Sequence, residues 1–60
     1  MVYVKQVTLT NGNTRWAVKD SATGRTVRNP YGPGAAYFDS KKIATGAIED
    51  CVMALEQESM

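Results

Sequence analysis

The side chains able to do chemistry in this 60-residue chain are few and poorly placed for it. Histidine is absent, which removes the side chain that titrates nearest neutral pH and the commonest metal ligand. Cys51 is the sole cysteine. It has no intrachain disulfide partner, no companions for a multi-cysteine zinc site and no imidazole to activate it as a nucleophile. The carboxylates Asp20, Asp39, Glu49, Asp50, Glu56 and Glu58 are scattered, with no pair spaced for acid–base work. A chain of this size buries only about 60% of the surface its unfolded form exposes, too little for both a core and an enclosed substrate cavity. The expectation is a small non-enzymatic binding module with no cofactor and no metal.

The charge distribution is more informative than the net charge of +1. Residues 1–34 carry Lys5, Arg15, Lys19, Arg25 and Arg28 against Asp20 alone. Residues 35–60 carry Lys41 and Lys42 against Asp39, Glu49, Asp50, Glu56 and Glu58. A basic first half fits an anionic partner, although a small domain also scatters its charges unevenly without any such partner. No apolar run approaches the length of a membrane span or a signal sequence, and a lone thiol fits a reducing compartment. A cytoplasmic protein with no membrane partner is therefore expected. No internal repeat or low-complexity tract is visible, so the chain reads as one small domain, 1–60.

The elements that must position these side chains begin with Asn11-Gly12, set between two runs rich in β-branched and aromatic residues, about 2–10 and 14–20. Asn-Gly suits a two-residue type I′ hairpin turn. That turn would set Val7 opposite Trp16, Lys5 opposite Val18 and Thr8 opposite Arg15. Leu9, Val7, Trp16 and Val18 would then form a core face, with Trp16 buried between sheet and helix. Gln6, Thr8, Arg15, Ala17, Val4 and Lys19 would form an open, partly basic face.

Asp20-Ser21-Ala22-Thr23-Gly24 reads as a second turn, followed by a short third strand over 25–28 with Val27 inward. Residues 29–38, rich in proline and glycine, read as a loop joining the sheet to a helix; presentation of Tyr31 for binding is its alternative role. Asp39 or Ser40 is a suitable N-cap for a helix over about 40–57. Ile43, Ala44, Ala47, Ile48, Cys51, Val52 and Leu55 recur at helical spacing as one apolar stripe. Gly46 interrupts that helix, either permitting close packing or merely tolerated. The expected fold is α+β: a three-stranded antiparallel sheet packed on one C-terminal helix, in the order β-β-β-α.

Thr14-Arg15-Trp16-Ala17-Val18, Asp20 with Thr23-Gly24-Arg25, and Phe38-Asp39-Ser40-Lys41-Lys42 with Ala44 together resemble the arm-site DNA-binding domain of phage-type tyrosine recombinases. The likeness runs over about residues 5–57. In that family a three-stranded sheet rests on a C-terminal helix, and its open face enters the major groove of duplex DNA. The resemblance implies that Gln6, Thr8, Arg15 and Lys19 meet double-stranded DNA, with Arg25 or Arg28 beside them. Lys41 and Lys42, at the helix start, oppose the helix dipole unless an anion sits there; Lys41 joins the DNA-binding set on that ground, while the plainer reading of both is as solvated first-turn residues. Arginine reading guanine, glutamine reading adenine, and lysine or threonine holding phosphates is chemically coherent. Unlike the usual clearly basic members, this chain is nearly neutral, so isolated binding would be weak and would call for dimerisation or a partner protein.

Two functions follow. The first is a DNA-binding accessory protein of a phage or other mobile element. The second is a small phage-type inhibitor or adaptor that binds and blocks a host protein, using residue types common at binding hot spots, Tyr3, Tyr31, Tyr37 and Arg15. A homo-oligomer is compatible with either.

Overall fold

The computed structural model describes residues 1–58. Strand β1 (Val2–Thr8) runs antiparallel to β2 (Thr14–Asp20), and the short β3 (Tyr37–Phe38) pairs antiparallel with the other edge of β2. The sheet order is β1-β2-β3. Two C-terminal helices follow, α1 (Lys41–Gly46) and α2 (Ile48–Glu58). The α+β class and the three-stranded antiparallel sheet are as the sequence led us to expect.

The hairpin forms, but its turn is not the expected one. No residue other than glycine has positive φ, so Asn11 cannot occupy a type I′ turn, which needs positive φ at both central positions. Instead the Gly12 N–H donates to the Leu9 carbonyl at 2.9 Å, and the Leu9 N–H donates to the Asn13 carbonyl at 2.8 Å. Gly12 adopts φ +87°. This is a three-residue loop, a type I turn closed by a left-handed glycine. It shifts β1 by one residue, so that Val4 faces Val18, Gln6 faces Trp16 and Lys5 faces Ala17.

That shift corrects the expected faces. Val2 and Val4, not Val7 and Leu9, join Trp16 and Val18 against the helices. The expected pairing would have set Lys5 beside Val18 under the helical layer, where a charge without a partner is costly. The observed pairing puts Val4 there and turns Lys5 outward. Trp16 is half-buried rather than enclosed, and its neighbour across the strands is Gln6, not Val7.

Residues 25–28 are not a regular strand. They contribute one bridge to β2, Lys19 with Thr26, and the third strand proper lies at Tyr37–Phe38, inside the span expected to be loop. The cause is a junction on the edge of β2. The Val18 N–H donates to Ala36 O (3.1 Å), the Ala36 N–H to Val27 O (2.8 Å), and the Val27 N–H to Val18 O (2.9 Å). These three residues are all buried. The ring lets two segments share one edge: 25–27 continues beside the end of β2, while 36–38 continues beside its middle. Val27 and Ala36 also begin a small hairpin, closed by the Asn29 N–H donating to Gly34 O at 3.0 Å.

Ser40 is the N-cap, its hydroxyl accepting from the Ile43 N–H at 3.1 Å. The expected single helix is divided at Ala47 (φ −89°, ψ −4°). Ala44, Ala47 and Cys51 are buried with Leu55 packed beside them, and these small side chains bring the helices close to the sheet. Ile43, expected in the stripe, is 53% exposed. Gly46 is no packing device, because a Cβ built there meets nothing within 4 Å.

Substitutions at each extreme of burial check this core. Val18→Ala removes two fully buried methyl groups and should lower stability by about 2–3 kcal/mol. Ile43→Ala should change it by less than about 0.5 kcal/mol, and Gly46→Ala should raise it by up to about 1 kcal/mol. Urea midpoints of the three variants measure this; comparable destabilisation by Val18→Ala and Ile43→Ala would contradict the packing.

Candidate nucleic-acid interface

Strand alternation places odd-numbered residues of β1 and β2 on the face opposite the helices. Three rows result from the register: Tyr3 beside Lys19 and Thr26, Lys5 beside Ala17 and Tyr37, and Val7 beside Arg15. Asp39, just beyond β3, reaches back to Arg15, whose Nη1 donates to its Oδ1. Ala17 at the centre is completely buried by its taller neighbours, while Tyr3 and Tyr37 are each about 40% exposed. The face is therefore a shallow saddle, with a small central residue flanked by two tyrosines and three basic side chains. Its one carboxylate among the described residues, Asp39, is engaged with Arg15.

Of the residues the DNA reading singled out from the sequence, only Arg15 and Lys19 share this face. Gln6 and Thr8 are exposed but stand on the helix side, because the one-residue shift turned every side chain of β1 over. Arg25 lines a hollow with Asp20, Val27 and Leu55, also on the helix side. Arg28 lines an open groove of about 640 Å³ between the 29–34 loop and α2, with Tyr31, Asp50, Met53 and Gln57. Lys41 opens α1 and belongs to the helical layer. The structure thus disperses the expected set. It supplies in exchange Lys5, Tyr3 and Tyr37, which sequence reasoning did not put on the face. The signal for Lys5 was present: a lysine midway along an apolar strand had to face outward, and that condition alone selects the observed register.

The 29–34 loop is fastened to α2, with Tyr31 still 61% exposed. The Tyr31 hydroxyl donates to Asp50 of α2, its ring meets Phe38 edge-on at 6.2 Å between centroids, and its N–H donates to the Asn29 side chain at 2.9 Å. The hydrogen bond to Asp50, then desolvation and that carboxylate's charge, raise the phenol's pKa above its ordinary value. Burial, and secondarily Asp50, push the Cys51 thiol upward as well, so it is held as an inert core thiol. Among the described residues no group of three or more His, Cys, Asp or Glu comes together as metal ligands would.

Comparison with known proteins finds no matching family model, no matching curated protein and no matching solved structure.

The Tyr31–Asp50 bond has a pH signature. A phenol whose pKa is raised on folding keeps its proton longer in the native chain than in the unfolded one. Its stabilisation is complete below the unfolded value and disappears as pH rises through the folded value. The stability difference between wild type and Tyr31→Phe should be constant over about pH 7–9 and shrink above about pH 10. Denaturation series across that range test this; a difference that stays constant to about pH 11 would remove the bond from the account.

Proposed function

We propose that the chain is a non-enzymatic DNA-binding module that lays the open face of its sheet in the major groove of duplex DNA. The observation carrying this reading is the gathering of Lys5, Arg15 and Lys19 with Tyr3 and Tyr37 on the one sheet face that no helix covers. Its dimensions suit the task. Strands about 4.8 Å apart make a three-stranded face roughly 10 Å across, and the major groove is about 12 Å wide. Lys5 and Lys19 on neighbouring strands suit phosphates, Arg15 suits a base edge, and the tyrosine hydroxyls add donors to the backbone. The buried Ala17 keeps the centre low, so that flanking side chains reach the groove walls first. The resemblance to recombinase arm-site domains agrees with this use of the sheet and points to an accessory factor of a phage or other mobile element. Such a protein acts in the cytoplasm, where the DNA is; no helix among the described residues is long and apolar enough to cross a membrane.

A second reading, an adaptor or inhibitor docked on a host protein, is favoured by one feature. Half-buried Val7 and Leu9 lie toward the turn end of the same face, and apolar surface beside tyrosines suits a protein partner better than phosphate.

Binding isotherms with random duplex DNA at two salt concentrations separate the two readings. Lys5→Ala/Lys19→Ala should weaken binding and reduce the log–log salt slope by roughly 0.9 for each phosphate that is no longer neutralised. Gln6→Ala/Thr8→Ala, on the opposite face, should bind as the wild type does. Identical isotherms for the wild type and the lysine variant would overturn the DNA reading, and absence of binding at low salt would transfer the face to a protein partner.

A further inference from the structure

The edge of β1 carries a separate signal, independent of what the open face binds. Hydrogen bonding alternates along an antiparallel pair. The Leu9 N–H bonds to Asn13 O and the Ser21 N–H bonds to Met1 O at 2.9 Å, so the odd residues of β1 direct their backbone groups toward β2. The even residues Val2, Val4, Gln6 and Thr8 direct theirs away from the sheet. Among the described residues, no backbone bond from these four to any segment beyond β2 is present. The opposite side of the sheet is closed very differently, since there two short segments interlock at Val18 of β2. β1 is thus a seven-residue edge without a proline or a bulge and, among the described residues, without a segment hydrogen-bonded along its outer side, the form that recruits another strand. Its one guarding charge is Lys5.

We propose that this edge pairs antiparallel with β1 of a second copy of the chain, joining two sheets into one of six strands about a two-fold axis at Val4. The pattern of side chains selects both occupant and register. With Val4 opposite its own copy, Val2 meets Gln6 of the second copy and Tyr3 meets Lys5 of the second copy. The lysine then lies against an aromatic face, and no like charges oppose each other. A two-fold axis at Lys5 would engage Thr8 as well, but it would set the two lysines directly opposite, which is destabilising. An axis at Tyr3 leaves Lys5 opposite Met1 and uses less of the strand. Lys5, which guards the edge against indiscriminate pairing, is therefore accommodated by one arrangement of the chain with itself. The open faces of the two copies become continuous across this seam, and the interface is isologous, as a closed dimer requires.

Proline substitution distinguishes the outward amides. It removes one outward N–H and is tolerated at an edge position whose N–H makes no bond within its own sheet. Sedimentation of the full chain should show a concentration-dependent shift from one chain to two. Gln6→Pro, which interrupts the pairing twice by symmetry, should weaken association about tenfold. Thr8→Pro, equally outward but beyond the paired stretch, should leave it unchanged. Far-ultraviolet circular dichroism confirms that each variant is folded. Should Gln6→Pro not fold, amide exchange of the wild type decides instead. Val2, Val4 and Gln6 amides should slow as concentration rises, while Thr8 stays fast. A wild type that remains one chain at millimolar concentration, an equal effect of the two prolines, or amide exchange independent of concentration would each overturn the proposal.

Discussion

Everything in this fold passes through the peptide groups of Val18. Its N–H and its carbonyl belong to different segments, the first bonded to Ala36 and the second to Val27, and those two segments are bonded to each other. The three residues are buried, so each of these bonds replaces water that cannot reach it, and breaking one leaves a buried polar group unsatisfied. The ring explains how so short a chain completes a sheet. One long strand, β2, is lined on one side by β1 and on the other by two shorter pieces that take turns. Neither piece is long enough to form a strand alone, and each is held because the other fixes its end. The small residues Ala36, Ala44, Ala47 and Cys51 collect around this point, since the close approach of three backbones leaves no volume for larger ones.

What the sequence made legible were the features carried by local chemistry. Asn11-Gly12 and the Asp20–Gly24 cluster are turns, Ser40 caps a helix, Val27 points inward, and Ala44, Ala47 and Cys51 face the sheet. The features that escaped depend on tertiary partners. Tyr37–Phe38 is too short to show a period and is a strand only because β2 has an open edge at Trp16 and Ala17. The register escaped because Asn-Gly is compatible with two turns differing by one residue, and strand alternation converts that single residue into an exchange of faces. The expected hairpin face therefore divides by strand. Arg15 and Lys19 kept their place because they sit on β2, whose orientation Trp16 and Val18 determine. Gln6 and Thr8 did not, because they sit on β1, whose orientation the turn determines.

The same exchange gives β1 its importance. Turning Val2 and Val4 to the helices releases Lys5 and Tyr3 to the open face, and it places Lys5 where it governs which strand can add to the edge. One strand thus contributes to the core, to the basic face and to the unpaired edge. The tension between these uses is visible in Val7 and Leu9, apolar residues left half-buried on the open side because Val4 had the stronger claim to the core.

Nuclear magnetic resonance tests the register, and through it the assignment of the face, without reference to any partner. Residues opposite one another in non-hydrogen-bonded pairs bring their α-carbons within about 4.5 Å, close enough for a strong nuclear Overhauser effect between their α-protons. The three-residue turn places Val4 opposite Val18, Gln6 opposite Trp16 and Thr8 opposite Thr14 in such pairs, and α-proton cross-peaks between these residues are the predicted result. Cross-peaks between Lys5 and Val18 and between Val7 and Trp16 would instead establish the two-residue turn, return Lys5 to the core side, and contradict the account.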